Sequence, residues 1–167
     1  FKKGASVMNK RALLVSLSTM VLAAGCGGPG DSATVPEAQP AGSTSADIGN
    51  HIVHFSAQST DQLPPAIARE YNIVRSKNRA MLNVSVLRES DMVPVSADVT
   101  VSTVNLTGQL KNVTMRKIEE PGETVAIYYI GDTTVANREV LNFEISIRPD
   151  GEDEVSKVRF QREFYSD

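Results

Sequence analysis

The sequence predicts an all-β fold, an immunoglobulin-like antiparallel β-sandwich of about seven strands with one short helix. From about Asp47 onward, apolar and polar residues alternate in short runs, which is the pattern of strands with one buried face. Turn-forming pairs such as Thr107-Gly108 and Pro121-Gly122 separate these runs. The chain has no Trp and a single Cys, so the Cys–Trp–Cys core of a true antibody domain is excluded.

Seven segments carry this strand pattern. They are, in chain order, Ile48 to Ala57, Ala80 to Leu87, Val95 to Leu106, Leu110 to Ile118, Val125 to Ile130, Val140 to Ile147 and Val155 to Tyr165. In the third segment the apolar residues change parity at Val104 and Leu106, which predicts a bulge or a crossing between sheets. The fifth segment is apolar at both parities, as a central strand can be.

One short helix is predicted between the first two strands. Pro65 suits its first turn, where a missing N–H costs no hydrogen bond. Ile67 and Tyr71 are four residues apart, so they can face the core together. Asn72 suits the left-handed residue that ends a helix of this kind.

The N-terminal part of the chain carries features of export. Lys10 and Arg11 precede a mostly apolar run from Ala12 to Ala24, which is too short for a transmembrane helix of about 20 residues. Small residues stand directly before Cys26, and the sequence LAAGC resembles the bacterial lipobox. We therefore expect residues 8–25 to be a lipoprotein signal peptide and Cys26 to be the lipid-attachment site, with palmitate among its acyl chains.

The signal peptide defines the remaining segments of the chain. We expect residues 1–7 to be an upstream extension that arises from start-site choice or cloning. Residues 26–46 are expected to be the lipidated Cys and a flexible linker, rich in Gly, Pro, Ser, Ala and Thr, with a reach of roughly 25 Å. The β-sandwich domain is expected to occupy residues 47–167.

Removal of the signal peptide changes the charge of the protein. The signal peptide and the upstream extension together hold four of the 17 basic residues and none of the 20 acidic ones, so cleavage before Cys26 moves the net charge from −3 to −7. An acidic surface argues against nucleic acid as a partner. Because the lipid consumes the only thiol, neither a disulfide nor a cysteine-based catalytic or metal site is expected. No cofactor is expected either.

Three segments carry a resemblance to a known family. They are YNIVRSKNRAMLNVSV (Tyr71 to Val86), AIYYI (Ala126 to Ile130) and FQREFYSD (Phe160 to Asp167). They look like the uncharacterised envelope family named domain of unknown function 4426, and the similarity covers nearly all of residues 50–167. The resemblance implies a secreted or periplasmic immunoglobulin-like sandwich in Gram-negative bacteria, and it implies no known activity. Pro64 departs from the family pattern, in which we expect a helix-capping Thr.

The best candidate for an interaction site is the basic run RSKNR that follows the predicted helix. Its candidate contact residues are Tyr71, Arg75, Lys77, Asn78 and Arg79. Three cations in five residues are unusual in an acidic domain, and guanidinium groups suit carboxylate or phosphate partners. The alternative is structural: the two arginines pair with local acids such as Glu70, and the polar residues between them shape the turn.

Catalytic and metal chemistry have little support in the sequence. His51 and His54 are the only histidines, and three residues apart on a strand they point to opposite faces. No spacing places a hydroxyl beside a base, and the acidic residues cluster in turns. Tyr128 and Tyr129 are adjacent on a strand, so they make a poor platform for a glycan. We expect no metal site and no catalytic residue.

The sequence therefore predicts a non-enzymatic lipoprotein, anchored to the membrane through Cys26 on the periplasmic side of the outer membrane of a Gram-negative bacterium. Gly27 is not the Asp that commonly retains lipoproteins in the inner membrane. The expected work is to bind another envelope protein through loops or a free sheet edge. The alternatives are an enzyme or enzyme inhibitor whose site forms only in the fold, and a carrier of a small apolar ligand between the two sheets.

Overall fold

The computed structural model describes residues 42–167, and it is an all-β sandwich of two antiparallel sheets, as predicted. It has nine strands rather than about seven. The strands are β1 (Ser45–Ile48), β2 (His51–Ser59), β3 (Arg79–Arg88), β4 (Ala97–Asn105), β5 (Leu110–Lys111), β6 (Arg116–Glu120), β7 (Ala126–Thr134), β8 (Glu139–Pro149) and β9 (Ser156–Phe164). A 3-10 turn (Thr60–Gln62) and the helix α1 (Pro65–Glu70) lie between β2 and β3.

The strands divide into a five-stranded sheet, in the order β1-β2-β3-β7-β6, and a four-stranded sheet, in the order β5-β4-β8-β9. All the pairings are antiparallel. Among residues 42–167 no helix is long and apolar enough to cross a membrane. The predicted signal peptide, Cys26 and most of the predicted linker lie outside the described residues.

The first predicted strand, Ile48 to Ala57, corresponds to β2, which forms a tight hairpin with an additional short strand, β1. β1 and β2 are joined by Gly49 and Asn50, and Gly49 has a positive φ of 59°, which favours glycine. β1 begins at Ser45, two residues before the predicted start of the sandwich domain. The sequence did not reveal this short strand because its four residues SADI carry only two apolar side chains.

The segment predicted as one strand from Leu110 to Ile118 is two strands in different sheets. β5 pairs with β4, whereas β6 pairs with β7, so the chain crosses between the sheets at residues 112–115. The crossing segment passes directly over Gly131 of β7. A Cβ atom at Gly131 would lie 2.8 Å from Met115 Sδ and 2.8 Å from the Thr114 carbonyl oxygen.

The change of parity predicted near the end of β4 does not produce a bulge or a crossing. β4 pairs with β8 in one unbroken register from Ala97 to Asn105. Thr103 occupies the inward position and is buried, while Leu106 lies in the following turn and is exposed. The prediction of a parity change is wrong because the residue at the inward position is a threonine, Thr103, and not an apolar residue.

Side chains from both sheets fill the space between them. The buried core consists of Val53, Phe55, Ala57, Ala80, Leu82, Val84, Val86, Ala97, Tyr129, Val135, Leu141, Phe143, Ile145, Ile147, Val158 and Phe164. The Phe160 ring lies 4.8 Å from those of both Phe55 and Phe143, so it joins the two sheets. This filled core gives no support to a ligand chamber between the sheets.

A buried ion pair holds β5 against the start of β8. Lys111 Nζ lies 2.9 Å from Glu139 Oε1, and the two side chains are only 14% and 10% exposed. Asn105 and the Ala136 N–H also donate hydrogen bonds to the Glu139 carboxylate, at 2.9 and 2.8 Å. Burial by itself raises the pKa of Glu139, but the hydrogen bonds from Lys111, Asn105 and Ala136 outweigh it, and the pKa lies below its usual value.

We predict that Gly131→Ala destabilises the fold by about 1–3 kcal/mol, because the new methyl group meets a backbone oxygen that cannot rotate away. Gly42→Ala is the matched control, since nothing lies within 4 Å of its Cβ position. Chemical denaturation of both variants measures the effect. Equal unfolding midpoints would show that the crossing segment yields without cost.

We predict that Glu139→Gln lowers the free energy of unfolding at neutral pH by about 1–3 kcal/mol, because Lys111 loses its buried partner. A depressed carboxyl pKa stabilises the fold above the ordinary Glu pKa, and this stabilisation is lost as the pH falls through the folded-state value. The difference between the wild type and the variant should therefore shrink in acid. Glu154→Gln, at an exposed turn, should show no such pH-dependent difference.

Candidate functional site

A flap (residues 60–76) leaves the end of β2 and returns to the start of β3. It contains the 3-10 turn and α1, and Pro65 occupies the first turn of α1 as predicted. Pro64 is at the N-cap and makes no side-chain capping bond, so the helix is short and locally weak. Asn72 has a φ of 52° and ends the helical segment, which confirms the left-handed residue expected there.

The two ends of the flap are joined by one buried hydroxyl group. Thr60 is fully buried, and its Oγ1 lies 2.8 Å from the Val74 carbonyl oxygen and 3.1 Å from that of Ser76. The same oxygen accepts the Ser76 N–H at 2.9 Å. Beneath the flap, Leu63, Ala68 and Met81 form a small second core. The flap is therefore a closed loop that is packed onto the sheet.

A groove of about 360 Å³ lies between the flap and the outer face of the five-stranded sheet. The flap contributes apolar residues to one end, and outward-facing residues of four strands form the rest. The lining residues are Leu63, Ile67, Tyr71 and Ile73 from the flap, and Ser56, Gln58, Met81, Asn83, Ile118, Glu120, Tyr128 and Ile130 from the sheet. The volume and the mostly apolar lining are those of a small-molecule site.

Two polar groups in this groove have no partner among residues 42–167. The Oδ1 atom of Asn83 is buried and accepts no hydrogen bond. Glu120 is half-buried, and its carboxylate has neither an ion pair nor a hydrogen bond. Glu120 is also the one charged residue in the lining. Both groups are hydrogen-bond acceptors, so the groove offers acceptors and no counterion of its own.

The predicted interaction residues lie at the base of the flap, and the three cations contact their own chain. Arg75 Nη2 donates to the Asp61 carbonyl oxygen at 2.6 Å. Lys77 Nζ donates to the main-chain oxygen of Asp167, also at 2.6 Å. Arg79 Nε donates to Asp132 Oδ2 at 2.8 Å across the β3–β7 pair.

The remaining two predicted residues have different environments. Asn78 accepts the Val135 N–H at its carbonyl oxygen, at 2.9 Å. Tyr71 lines the groove, and its carbonyl oxygen accepts a hydrogen bond from Arg116. These contacts are of the kind expected if the basic run has a structural role. The acid that pairs with Arg79 is Asp132 of β7, however, and not Glu70.

His54 and Ser85 are direct neighbours across the β2–β3 pair on the outer face of the sheet. They share a shallow depression with Thr44, Ser56 and Asn83, which contains no carboxylate to orient the imidazole. No hydrogen bond joins His54 to Ser85 among the described residues, so base, nucleophile and orienting group are not assembled here. No cluster of three or more His, Asp or Glu residues in this part of the chain could hold a metal ion.

The tyrosines of β7 point to opposite faces, as predicted. Tyr129 is buried in the core, and its hydroxyl accepts the Ala97 N–H at 2.7 Å. Tyr128 instead lines the groove. Tyr165 is exposed, and a hydrogen bond to Glu163 raises the pKa of the Tyr165 hydroxyl.

Among residues 42–167, β9 forms a free edge of the four-stranded sheet along nine residues and pairs only with β8. A cleft of about 520 Å³ separates it from the second half of β2, which extends beyond the short β1. Arg162 lies opposite the buried Leu141, yet it is exposed at this open side of the sandwich. Its position is that of an inward-pointing charge on an edge strand.

The sequence contains one signal for the groove. Met81, Ile118 and Ile130 are apolar residues at outward positions of their strands, where a solvated sheet face would carry polar side chains. The predicted central strand from Val125 to Ile130 was correctly described as apolar on both faces. What its second face contacts could not be inferred without knowing where the flap folds.

Comparison with known proteins gives a family and similar solved structures. A family model described as domain of unknown function (DUF4426) matches residues 45–167. A DUF4426 family protein from Pseudomonas aeruginosa PAO1 is 30% identical, with a TM-score of 0.63, and the match covers 74% of this chain and 94% of that one.

A family 123 glycoside hydrolase from Clostridium perfringens is 9% identical, with a TM-score of 0.32, over 67% of this chain and 27% of that one. This similarity is too low to carry an argument. A search of curated proteins found no match.

We predict that Thr60→Val loosens the flap. Valine keeps the shape of the side chain but removes the acceptor of the Ser76 N–H and the one O–H donor shared by the Val74 and Ser76 carbonyl oxygens, at a cost of about 1–3 kcal/mol. Amide exchange at Ser76 should accelerate more than exchange in β8. Thr100→Val, on the exposed face of β4, is the control that should change neither quantity.

Proposed function

The chain belongs to the DUF4426 family, and on that basis we propose that it is a lipid-anchored, non-enzymatic protein-binding module on the periplasmic side of the outer membrane. The lipobox-like sequence before Cys26 supports the anchor, and a stable attachment relies on the several acyl chains that a bacterial lipoprotein carries. The flexible linker would let the sandwich domain reach a partner roughly 25 Å from the membrane.

The free edge of β9 is the observation that carries the proposed binding. An edge strand presents unpaired N–H and C=O groups, and a partner strand can satisfy them by extending the sheet. β9 is long enough for such pairing, and the neighbouring cleft leaves room on its open side. By comparison, β5 has two residues and β1 has four, so they offer much shorter edges.

The charges on β9 favour a partner of opposite sign. Arg159 is 69% exposed, although it pairs with Glu144, and Arg162 has no ion pair among residues 42–167. Inward-pointing charge on an edge opposes pairing with a second copy of the same strand. We therefore propose a partner strand whose side chains are acidic and apolar. The Arg75–Arg79 segment is less suited to the task, because its cations already contact their own chain.

The support for a non-enzymatic role comes from the same surfaces. The outer-face depression beside His54 lacks an orienting acid, and β9 carries no acid–base pair that could activate a nucleophile. A binding module needs only shape, charge and unpaired backbone groups, all of which are present at the β9 edge.

Photo-crosslinking in native membranes tests this proposal. A benzophenone side chain is placed at Gln161 of β9 or, as the control, at Thr100 of β4, both exposed and both in the four-stranded sheet. We expect a specific adduct with another envelope protein from Gln161 only. We also expect a Cys26→Ser variant to leave the membrane fraction and to lose most of this adduct, because the anchor no longer concentrates it beside the partner.

Three results would count against the proposal. One is the absence of an adduct from Gln161 in a lipidated protein that is shown to be folded. Another is an equal adduct from Thr100. The third is an adduct that consists only of two copies of this chain.

A further inference from the structure

The groove under the flap has the features of a ligand site that is separate from the β9 edge. β9 contributes no residue to the groove, which is formed by the flap and by β2, β3, β6 and β7. A ligand in the groove would therefore not require the proposed protein partner. Apolar, aromatic and charged groups follow one another along the groove in a defined order.

The strand register places these groups in rows across the outer face of the sheet. In one row, Asn83 of β3 pairs with Ile130 of β7, and Ile130 pairs with Arg116 of β6. In the next row, Tyr128 of β7 pairs with Ile118 of β6. Glu120 faces Ala126 one row further on. Each row is two residues from the next, so Glu120 lies about 13 Å along the strands from the row of Asn83.

The flap covers only one end of these rows. Leu63, Ile67 and Ile73 lie over that end, and Met81 and Ile130 form its floor. Tyr71 lies beside the same end, because its carbonyl oxygen accepts a hydrogen bond from Arg116, which pairs with Ile130. The other end contains Tyr128, Ile118 and Glu120 of β7 and β6. The groove is therefore apolar and covered at one end, and aromatic and negatively charged at the other.

This gradient matches one class of ligand. The carboxylate of Glu120 attracts a cation, and the ring of Tyr128 two residues away in the register can add a cation–π contact. Among residues 42–167, Lys, Arg and His are absent from the lining, and the neighbouring cation Arg116 donates to the Tyr71 carbonyl oxygen, so the lining itself offers no counterion to an anionic head group.

We propose that the groove binds a small cationic amphiphile, with an apolar chain under the flap and an amine at Glu120. An eight-carbon chain spans about 10 Å, which suits the distance between the covered end and Glu120. The negative charge of the mature protein, −7, favours the approach of such a cation over that of an anion.

Calorimetric titration tests the proposal with two probes that share a chain length and differ in charge, octylamine and octanoate. The protein is the mature chain, residues 26–167 with Cys26→Ser, which needs no detergent and contains the whole compact unit Gln39–Asp167. We expect saturable 1:1 binding of octylamine. Octanoate should bind at least about tenfold more weakly, because it lacks the charge-assisted contact with the Glu120 carboxylate.

Two isosteric variants locate the amine. Glu120→Gln removes the charge in the groove, and we expect it to weaken octylamine binding about tenfold. Glu119→Gln removes the same charge from the opposite face of β6, where Glu119 pairs with Lys117, and it should leave the affinity unchanged. Denaturation midpoints close to that of the parent chain show that both variants are folded.

The outcomes are decisive in either direction. Saturable octylamine binding that Glu120→Gln alone weakens supports the site and its polarity. The proposal is overturned if octylamine does not saturate the folded protein, if octanoate binds as tightly, or if the two variants behave alike. None of these results bears on the crosslink at Gln161, so this site and the proposed protein partner can fail separately.

Discussion

The pairing of β3 between β2 and β7 is the constraint on which the rest of the structure depends. β3 lies at the centre of the five-stranded sheet, and its side chains alternate between the two faces. Leu82, Val84 and Val86 enter the core, while Met81 and Asn83 face outward. A slip of one residue would exchange these two sets, so the same register that fills the core also builds the floor of the groove.

The basic run before β3 is best understood through this constraint. Arg79 joins β3 to Asp132 of β7, and Arg75 and Lys77 tie the base of the flap to backbone carbonyl groups. Together with the buried hydroxyl of Thr60, these contacts hold the flap above the outer face. The cluster that suggests anion recognition in the sequence also supports the flap, because each of its three cations donates a hydrogen bond to an acceptor of the same chain.

The two proposed binding surfaces differ in position and in charge. The β9 edge belongs to the four-stranded sheet and carries exposed arginines, whereas the groove belongs to the five-stranded sheet and carries an unpaired carboxylate. One surface suits an acidic extended segment and the other a small cation. Ser56 and Gln58 border both the groove and the cleft beside β9, but β9 itself contributes no residue to the groove. Both surfaces of one protein molecule could therefore be occupied at once, with the filled core between the sheets acting as a rigid support.

The sequence by itself determined the sandwich class, most strand positions, the turn at Asn72 and the opposite faces of Tyr128 and Tyr129, because these depend on local periodicity and backbone preference. Only the tertiary structure decided that the segment from Leu110 to Ile118 divides between two sheets and that Arg79 meets Asp132. It also decided that the outward apolar residues of β3, β6 and β7 meet the flap. Those contacts join residues far apart in the chain, and a pattern read over a few neighbouring residues carries no information about which distant segment will cover them.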